Sequence, residues 1–195
     1  GYTSGIGTVG LVWVDPKESS TVPEQVVTTA QKSWVTQNLN AMWVAMNAPD
    51  FIDPVNGYSK YLDVIPTVDN HILNTAARNL DALRLSAYWH KSRSGKWTAG
   101  PVWDFDRAMG SVDSRENGPL TWSGVASGGD FGTDFFHYKW YREMFQDPNF
   151  WQQWVDRLDA MRQSALSTSH VLAVVDELTA PIAAGGASTR KAVWR

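Results

Sequence analysis

The chain has 195 residues, 43% of them hydrophobic, and a formal net charge of −3, enough to bury one good core with a single domain as the default. A slightly acidic balance without Lys/Arg blocks argues against a nucleic-acid or anionic-membrane partner, and no apolar run approaches the ~20 residues of a membrane span. No signal peptide is visible, the absence of Cys removes disulfides and thiolate metal sites without choosing a compartment, and the eleven Trp read mainly as core.

From the N-terminus, Gly5-Ile6-Gly7-Thr8-Val9-Gly10-Leu11-Val12 matches the pattern G-x-G-x-x-G-x-V. A phosphate-cradling loop needs a strand before it, and only four residues precede Gly5. No Val-Ala-Ile-Lys pattern follows, so the stretch reads as a flexible lead-in. Gly10 to Val14 predicts a short strand and Asp15 to Ser20 a loop. Thr21-Val22-Pro23-Glu24 then has the form of a capping box with Pro in the first turn. Behind it Val26, Val27, Ala30, Trp34, Val35, Leu39, Met42, Trp43 and Met46 recur at helical spacing, predicting one long helix that ends near Asn47. A Trp and Met stripe of this kind is core, with no chemistry assigned.

Asp50 to Lys60 is turn-rich, with Asp53-Pro54 and Asn56-Gly57. A second helix follows Tyr61-Leu62-Asp63-Val64, capped around Thr67 and ending near Arg78. Asn79 and Asp81 then fall on the loop after it. Leu85 to Lys91 and Lys96 to Trp103 are rich in bulky and aromatic residues, and Arg93-Ser94-Gly95 between them is turn chemistry, so the pair reads as a β-hairpin. Folding about Ser94 and Gly95 lays residue n opposite roughly 189 − n, which returns Asp104 beside Asp81. Two carboxylates delivered to one end of a rigid hairpin raise each other's pKa unless a cation sits between them or one acts as a base. His71 and His90 have no second His or carboxylate at ligand spacing and read as core or surface residues.

Gly110 to Gly132 is polar and glycine-rich, a loop long enough to suggest function, with Trp122 within it. Three helical patterns close the chain: Phe135 to Phe145, Pro148 to Ala165 after Asp147, and Ser169 to Ala183 after Ser167 and Thr168. The tail from Gly185 to Arg195 is weakly specified.

The central layout is that of protein kinases, in which a loop Asp, an Asn five residues on, a short hairpin and Asp-Phe-Gly hold the base and the metal ions. Here the corresponding residues are Asp81, Ser86 and Asp104-Phe105-Asp106. More closely, the run Asp63-Val64, Asn74, Asn79-Leu80-Asp81, Tyr88, Gly95-Lys96 and Gly100-Pro101-Val102-Trp103-Asp104-Phe105-Asp106 resembles the CotH kinase family, atypical kinases called after spore coat protein H. Weaker likeness extends to Pro23-Glu24-Gln25, to Tyr141-Arg142 and to Asp147-Pro148-x-Phe150.

The resemblance implies an α+β fold, a mainly helical kinase-like C-lobe around a central β-hairpin, over residues 1–195 as a single domain with 1–15 as hinge and lead-in strand. It implies transfer of a phosphoryl group from ATP to a protein hydroxyl with Mg²⁺ or Mn²⁺. Asp81 matches the catalytic Asp and Asp104 the metal-binding Asp. Asp106 would be a second carboxylate near the metal, Asn79 would hold the catalytic loop or touch a phosphate, and Ser86 stands where ordinary kinases have a metal-ligating Asn. The family's phosphate loop and its Lys have no counterpart here, so activity is expected to require a nucleotide-binding lobe. The resemblance further implies a protein substrate of coat or cell-surface type and a secreted, cell-surface or spore-coat location. Two other functions fit the residues: a surface-binding or adhesion module using Trp122 and the Gly110–Gly132 loop, and a carbohydrate-associated domain using Asp104 and Asp106 as paired carboxylates about 7 Å apart on one strand.

Overall fold

A computed structural model describes residues 2–3, 10–17, 19–79, 81–83, 85–109, 135–138 and 140–184. Most of the Gly5–Val12 motif, the Gly110–Gly132 loop with Trp122, and the tail from Gly185 lie outside the described residues. The fold is α+β and mainly helical, as expected. In order it comprises β1 (Tyr2–Thr3), β2 (Gly10–Leu11), α1 (Thr29–Met46), α2 (Val64–Ala76), β3 (Trp89–His90), β4 (Thr98–Ala99), α3 (Trp140–Met144), α4 (Pro148–Arg162) and α5 (Thr168–Ala184). β1 pairs with β2 and β3 with β4, both antiparallel. The chain divides into two compact units, residues 1–154 and 155–195, the boundary falling inside α4.

The first long helix starts later than its Thr21 box predicts. Pro23–Gln25 form only one 3₁₀ turn, because the backbone beyond is drawn into an extended bridge. The Lys17 N–H donates to the Gln25 carbonyl (2.7 Å) and the Val27 N–H to the Lys17 carbonyl (2.8 Å). The helix restarts at a true capping box, in which Thr28 Oγ1 accepts from the Gln31 N–H (3.2 Å) and Gln31 Oε1 from the Thr28 N–H (2.7 Å). Only its second half is core: Leu39, Met42, Ala45 and Met46 are buried, whereas Trp34 is exposed and carries Lys91 Nζ 4.9 Å above its ring.

α2 is the central helix. It starts at Val64 rather than around Thr67, with Pro66 tolerated in the first turn, where the missing N–H has no helical partner to lose. Thr67, Val68, His71, Ile72, Asn74 and Thr75 are buried along it, and full burial of Val68 and Ile72 contributes roughly 1.5–3 kcal/mol each. Its N-terminus is lashed to the hairpin: the Trp97 N–H donates to the Tyr61 carbonyl (2.7 Å) and the Asp63 N–H to the Trp97 carbonyl (2.8 Å). Leu62 and Trp97 are buried at this bridge.

The hairpin pairs Trp89 with Ala99 and His90 with Thr98, so residue n faces 188 − n, one residue tighter than expected. The turn is centred on Ser94 alone, with Ser92 Oγ accepting from the Gly95 N–H (3.0 Å) and Lys91 Nζ donating to the Gly95 carbonyl. Trp89 meets Trp140 of α3 edge to face, with ring centroids 5.1 Å apart.

α3 is shorter than the Phe135–Phe145 pattern predicts. Before it, the Phe135 carbonyl accepts from His71 Nε2–H (2.7 Å), a side-chain donor from α2. α4 begins where Asp147-Pro148 places it. Asp147 Oδ1 accepts from the Asn149 N–H (2.8 Å), and its Oδ2 accepts from buried Tyr58 Oη (2.7 Å). In the second unit α5 is capped by Ser167 Oγ, which accepts from the His170 N–H (3.3 Å), and Leu172, Leu178 and Ile182 are exposed along it.

Tyr58 is held in register by the turn before it. A Cβ added at Gly57 would lie 2.1 Å from the Phe51 carbonyl oxygen and 2.5 Å from that of Asp53, both backbone atoms. Gly57→Ala is therefore expected to destabilise the fold by about 1–3 kcal/mol, read as a lower midpoint in urea at unchanged slope. A midpoint equal to the parent's would show that the turn relaxes freely.

Candidate phosphoryl-transfer site

The end of α2 delivers the first site residue. The Asn79 N–H donates to the Asn74 carbonyl (2.9 Å) and the Arg78 N–H to the Thr75 carbonyl (3.1 Å), a Schellman motif with Arg78 in the left-handed conformation at φ 51°. This reverses the chain and buries Asn79 completely. Asn79 Nδ2 donates to Asn74 Oδ1 (3.3 Å) and to the Asp104 carbonyl (3.0 Å), so one amide ties the loop after α2 to the Asp-Phe-Asp segment. Asn74 in turn donates to the Asn70 carbonyl (2.9 Å). Asn79 Oδ1 is buried with no hydrogen-bond partner among the described residues.

Asp81 is buried, and its carbonyl accepts from the Leu85 and Ser86 N–H groups (2.9 Å each), fixing the turn that leads to Ser86. Its carboxylate Oδ2 lies 3.5 Å from Arg107 Nε. Arg107, just beyond Asp106, thus supplies Asp81 with a cationic neighbour that the hairpin arithmetic did not point to.

Asp104 sits in the left-handed region at φ 62°, with its side chain exposed and Oδ2 accepting from Ser86 Oγ (3.2 Å). Asp tolerates this conformation better than most residues. The hydrogen bond between the Asp106 and Asp104 side chains raises the Asp106 pKa above its ordinary value, with some burial and the Asp104 charge adding to it and Arg107 opposing it. The two side chains are thus neighbours. The non-glycine residues with left-handed φ among those described are Arg78, Asp104 and Met109. Arg78 precedes Asn79, and the Met109 N–H donates to the Ala77 carbonyl (2.9 Å), so all three adjoin this site. Backbone strain concentrated in this way is characteristic of functional sites.

The donor set fits a small hard cation. Asp104 and Asp106 offer carboxylate oxygens and Ser86 a hydroxyl. Among the described residues no group of three His, Cys, Asp or Glu forms a metal cage. Mg²⁺ commonly takes one or two carboxylates and completes its shell with water and phosphate oxygens.

His71 and His90 are structural, in keeping with their spacing. His71 is fully buried and His90 Nδ1 donates to the Gly100 carbonyl (3.1 Å). Sequence reasoning missed Arg107 and Asn70. The spacing of Asn70 and Asn74, four apart on one helix, was the available signal for the second. No sequence signal pointed to Arg107.

The comparison with known proteins gives the class of the chain. Residues 13–194 match the family model described as CotH kinase protein, and the chain belongs to that family. Comparisons with curated proteins and with solved structures give no match. Family membership implies an atypical kinase-like domain and, in general, ATP, a divalent metal and a protein substrate. No helix among the described residues is long and apolar enough to cross a membrane.

Proposed function

We propose that the chain is the catalytic C-terminal lobe of an atypical protein kinase, transferring the terminal phosphoryl group of ATP to a protein hydroxyl. The observation that carries this reading is the meeting of Asp104, Asp106 and Ser86 at one open point, braced by fully buried Asn79. Asp104 and Asp106 would hold Mg²⁺ or Mn²⁺, which would supply positive charge to neutralise the phosphates. Ser86 orients Asp104 or completes the ligand set. Asp81 orients the acceptor hydroxyl and takes its proton as the new O–P bond forms and the bond to ADP breaks, and Arg107 holds the Asp81 carboxylate in place. The acceptor is a coat or cell-surface protein, in keeping with a secreted, cell-surface or spore-coat location.

Calorimetric titration with Mn²⁺, then with ATP in its presence, tests the reading. Metal-dependent ATP binding is the expected result. Metal binding without ATP would keep the metal assignment and remove nucleotide binding from these residues. Binding of neither would overturn the catalytic reading in favour of a surface-binding module on the same fold.

A further inference from the structure

The turn of the β3–β4 hairpin gathers three exposed cations. Arg93 and Lys96 belong to the turn itself, and Lys96 Nζ donates to the Ser59 carbonyl (2.6 Å), which ties it to the 3₁₀ turn Tyr58–Lys60 and so to Lys60. Exposed charges are ordinarily no more than solvated, and this cluster differs in two respects. It is ordered: Ser92 Oγ accepts from the Gly95 N–H (3.0 Å), and Lys91 Nζ donates to the Gly95 carbonyl while lying 4.9 Å from the Trp34 ring centroid. Its charge is also uncompensated. Lys60 Nζ lies 5.7 Å from the Tyr61 ring centroid and Lys96 is held by a neutral carbonyl. Among the described residues no carboxylate pairs with Lys60, Arg93 or Lys96, in a chain whose acidic residues outnumber Lys and Arg by 20 to 17.

We propose that this tip docks an acidic segment of a protein partner, whose carboxylates are taken by Lys60, Arg93 and Lys96. The donors are available. An ammonium has three N–H groups, of which Lys96 uses one on Ser59, and the Arg93 guanidinium forms no hydrogen bond or ion pair among the described residues. A guanidinium takes a carboxylate through two parallel N–H bonds, and with two ammonium groups beside it the tip suits a short run of Asp or Glu. The size of the partner's charged segment follows from the charge of the whole chain. A net charge of −3 repels an extended polyanion, such as a nucleic acid or an anionic membrane, beyond the contact itself, whereas a short acidic run meets only the local positive field. The tip and Asp104 belong to one hairpin and stand at most ~30 Å apart by the length of chain between Gly95 and Asp104, so one partner chain can reach both. The identity of that partner as the acceptor protein rests on the phosphoryl-transfer reading above; the binding of an acidic chain does not.

The test is binding of a fluorescently labelled hexaglutamate peptide, followed by anisotropy at low ionic strength without metal or nucleotide, with hexaglutamine and an oligothymidylate as comparisons. The parent is expected to bind hexaglutamate and not hexaglutamine, with an affinity that falls as salt is added. Lys60→Gln combined with Arg93→Gln should weaken hexaglutamate binding roughly fivefold. Lys17→Gln combined with Arg162→Gln, the same loss of charge outside the tip, should change it far less. Unaltered far-UV circular dichroism and melting temperature show that both double variants are folded. Equal affinity of the parent for hexaglutamate and hexaglutamine would overturn the inference. So would equal losses in the two double variants, which would show that net charge rather than the tip governs binding. Tighter binding of the oligothymidylate than of hexaglutamate would overturn it too and assign the tip to nucleic acid. None of these outcomes touches the phosphoryl-transfer reading, which stands or falls on the Mn²⁺ and ATP titration.

Discussion

Asp104→Asn is expected to weaken Mn²⁺ binding by on the order of 100-fold while leaving the protein folded. Loss of an outer partner of a metal ligand typically costs 10–100-fold in affinity, and Asp104 is placed to be a direct ligand. Asn is the informative replacement because Asp104 lies at φ 62°, a conformation that Asn tolerates as Asp does. It also keeps an acceptor for Ser86 Oγ, and the backbone carbonyl that receives Asn79 Nδ2 is untouched. Asp104→Ala would mix the loss of charge with about 1–2 kcal/mol of backbone strain. The same variant should return the Asp106 pKa toward its ordinary value, since both the hydrogen bond and the negative charge that raise it come from Asp104. Calorimetry with Mn²⁺ measures the first effect and carboxyl chemical shifts against pH the second. Unchanged Mn²⁺ affinity would remove Asp104 from the metal site.

The second large effect is on stability and comes from His71. The ring is fully buried among Phe136, Tyr141, Phe145 and Trp154, with centroids between 4.8 and 6.1 Å away. Its Nε2–H donates to the Phe135 carbonyl, which leaves Nδ1 to accept from Trp154 Nε1–H (3.0 Å). A proton on Nδ1 would oppose the Trp154 N–H, with the Thr75 hydroxyl 3.3 Å from the same nitrogen, and burial lowers the pKa from 6.5 to about 4, the bond to the Phe135 carbonyl opposing the shift only in part. The unfolded chain therefore binds a proton that the folded chain refuses between those two values. Stability from this residue is complete above pH ~6.5, falls as pH drops, and is lost below pH ~4. The full contribution is about 3 kcal/mol. Melting temperatures of the parent and of His71→Gln, measured from pH 7.5 to 4, provide the check. The parent should lose stability more steeply, and parallel curves would show that His71 does not carry the acid sensitivity.

These two residues illustrate how far the primary structure could be read. The phosphoryl-transfer layout was legible because it is built from local signals in fixed order: a helix end, a turn, and the run Trp103-Asp104-Phe105-Asp106. Ser86 and Asp104 are brought together because a hairpin needs only strand character and a turn, both visible from Leu85 to Trp103. The helix starts behind Asp147-Pro148 and Ser167 were likewise written into adjacent residues, since a cap acts over three or four positions.

Other features depended on partners distant in the chain. Local propensity alone started α1 at Thr21, and only the pairing of Lys17 with the Gln25–Val27 backbone moved it to Thr29. Helical periodicity extended α3 back to Phe135, whose carbonyl is bound by a histidine 64 positions earlier. Hairpin arithmetic pointed from Asp81 to Asp104 and gave no sign of Arg107, whose guanidinium the fold brings to within 3.5 Å of the Asp81 carboxylate. By itself, then, the sequence determined the class of fold, the family, and which short motifs carry the candidate chemistry. The tertiary structure decided which charge meets which and where helices yield to side-chain partners. Those outcomes turn on burial and long-range hydrogen bonding, which no local pattern encodes.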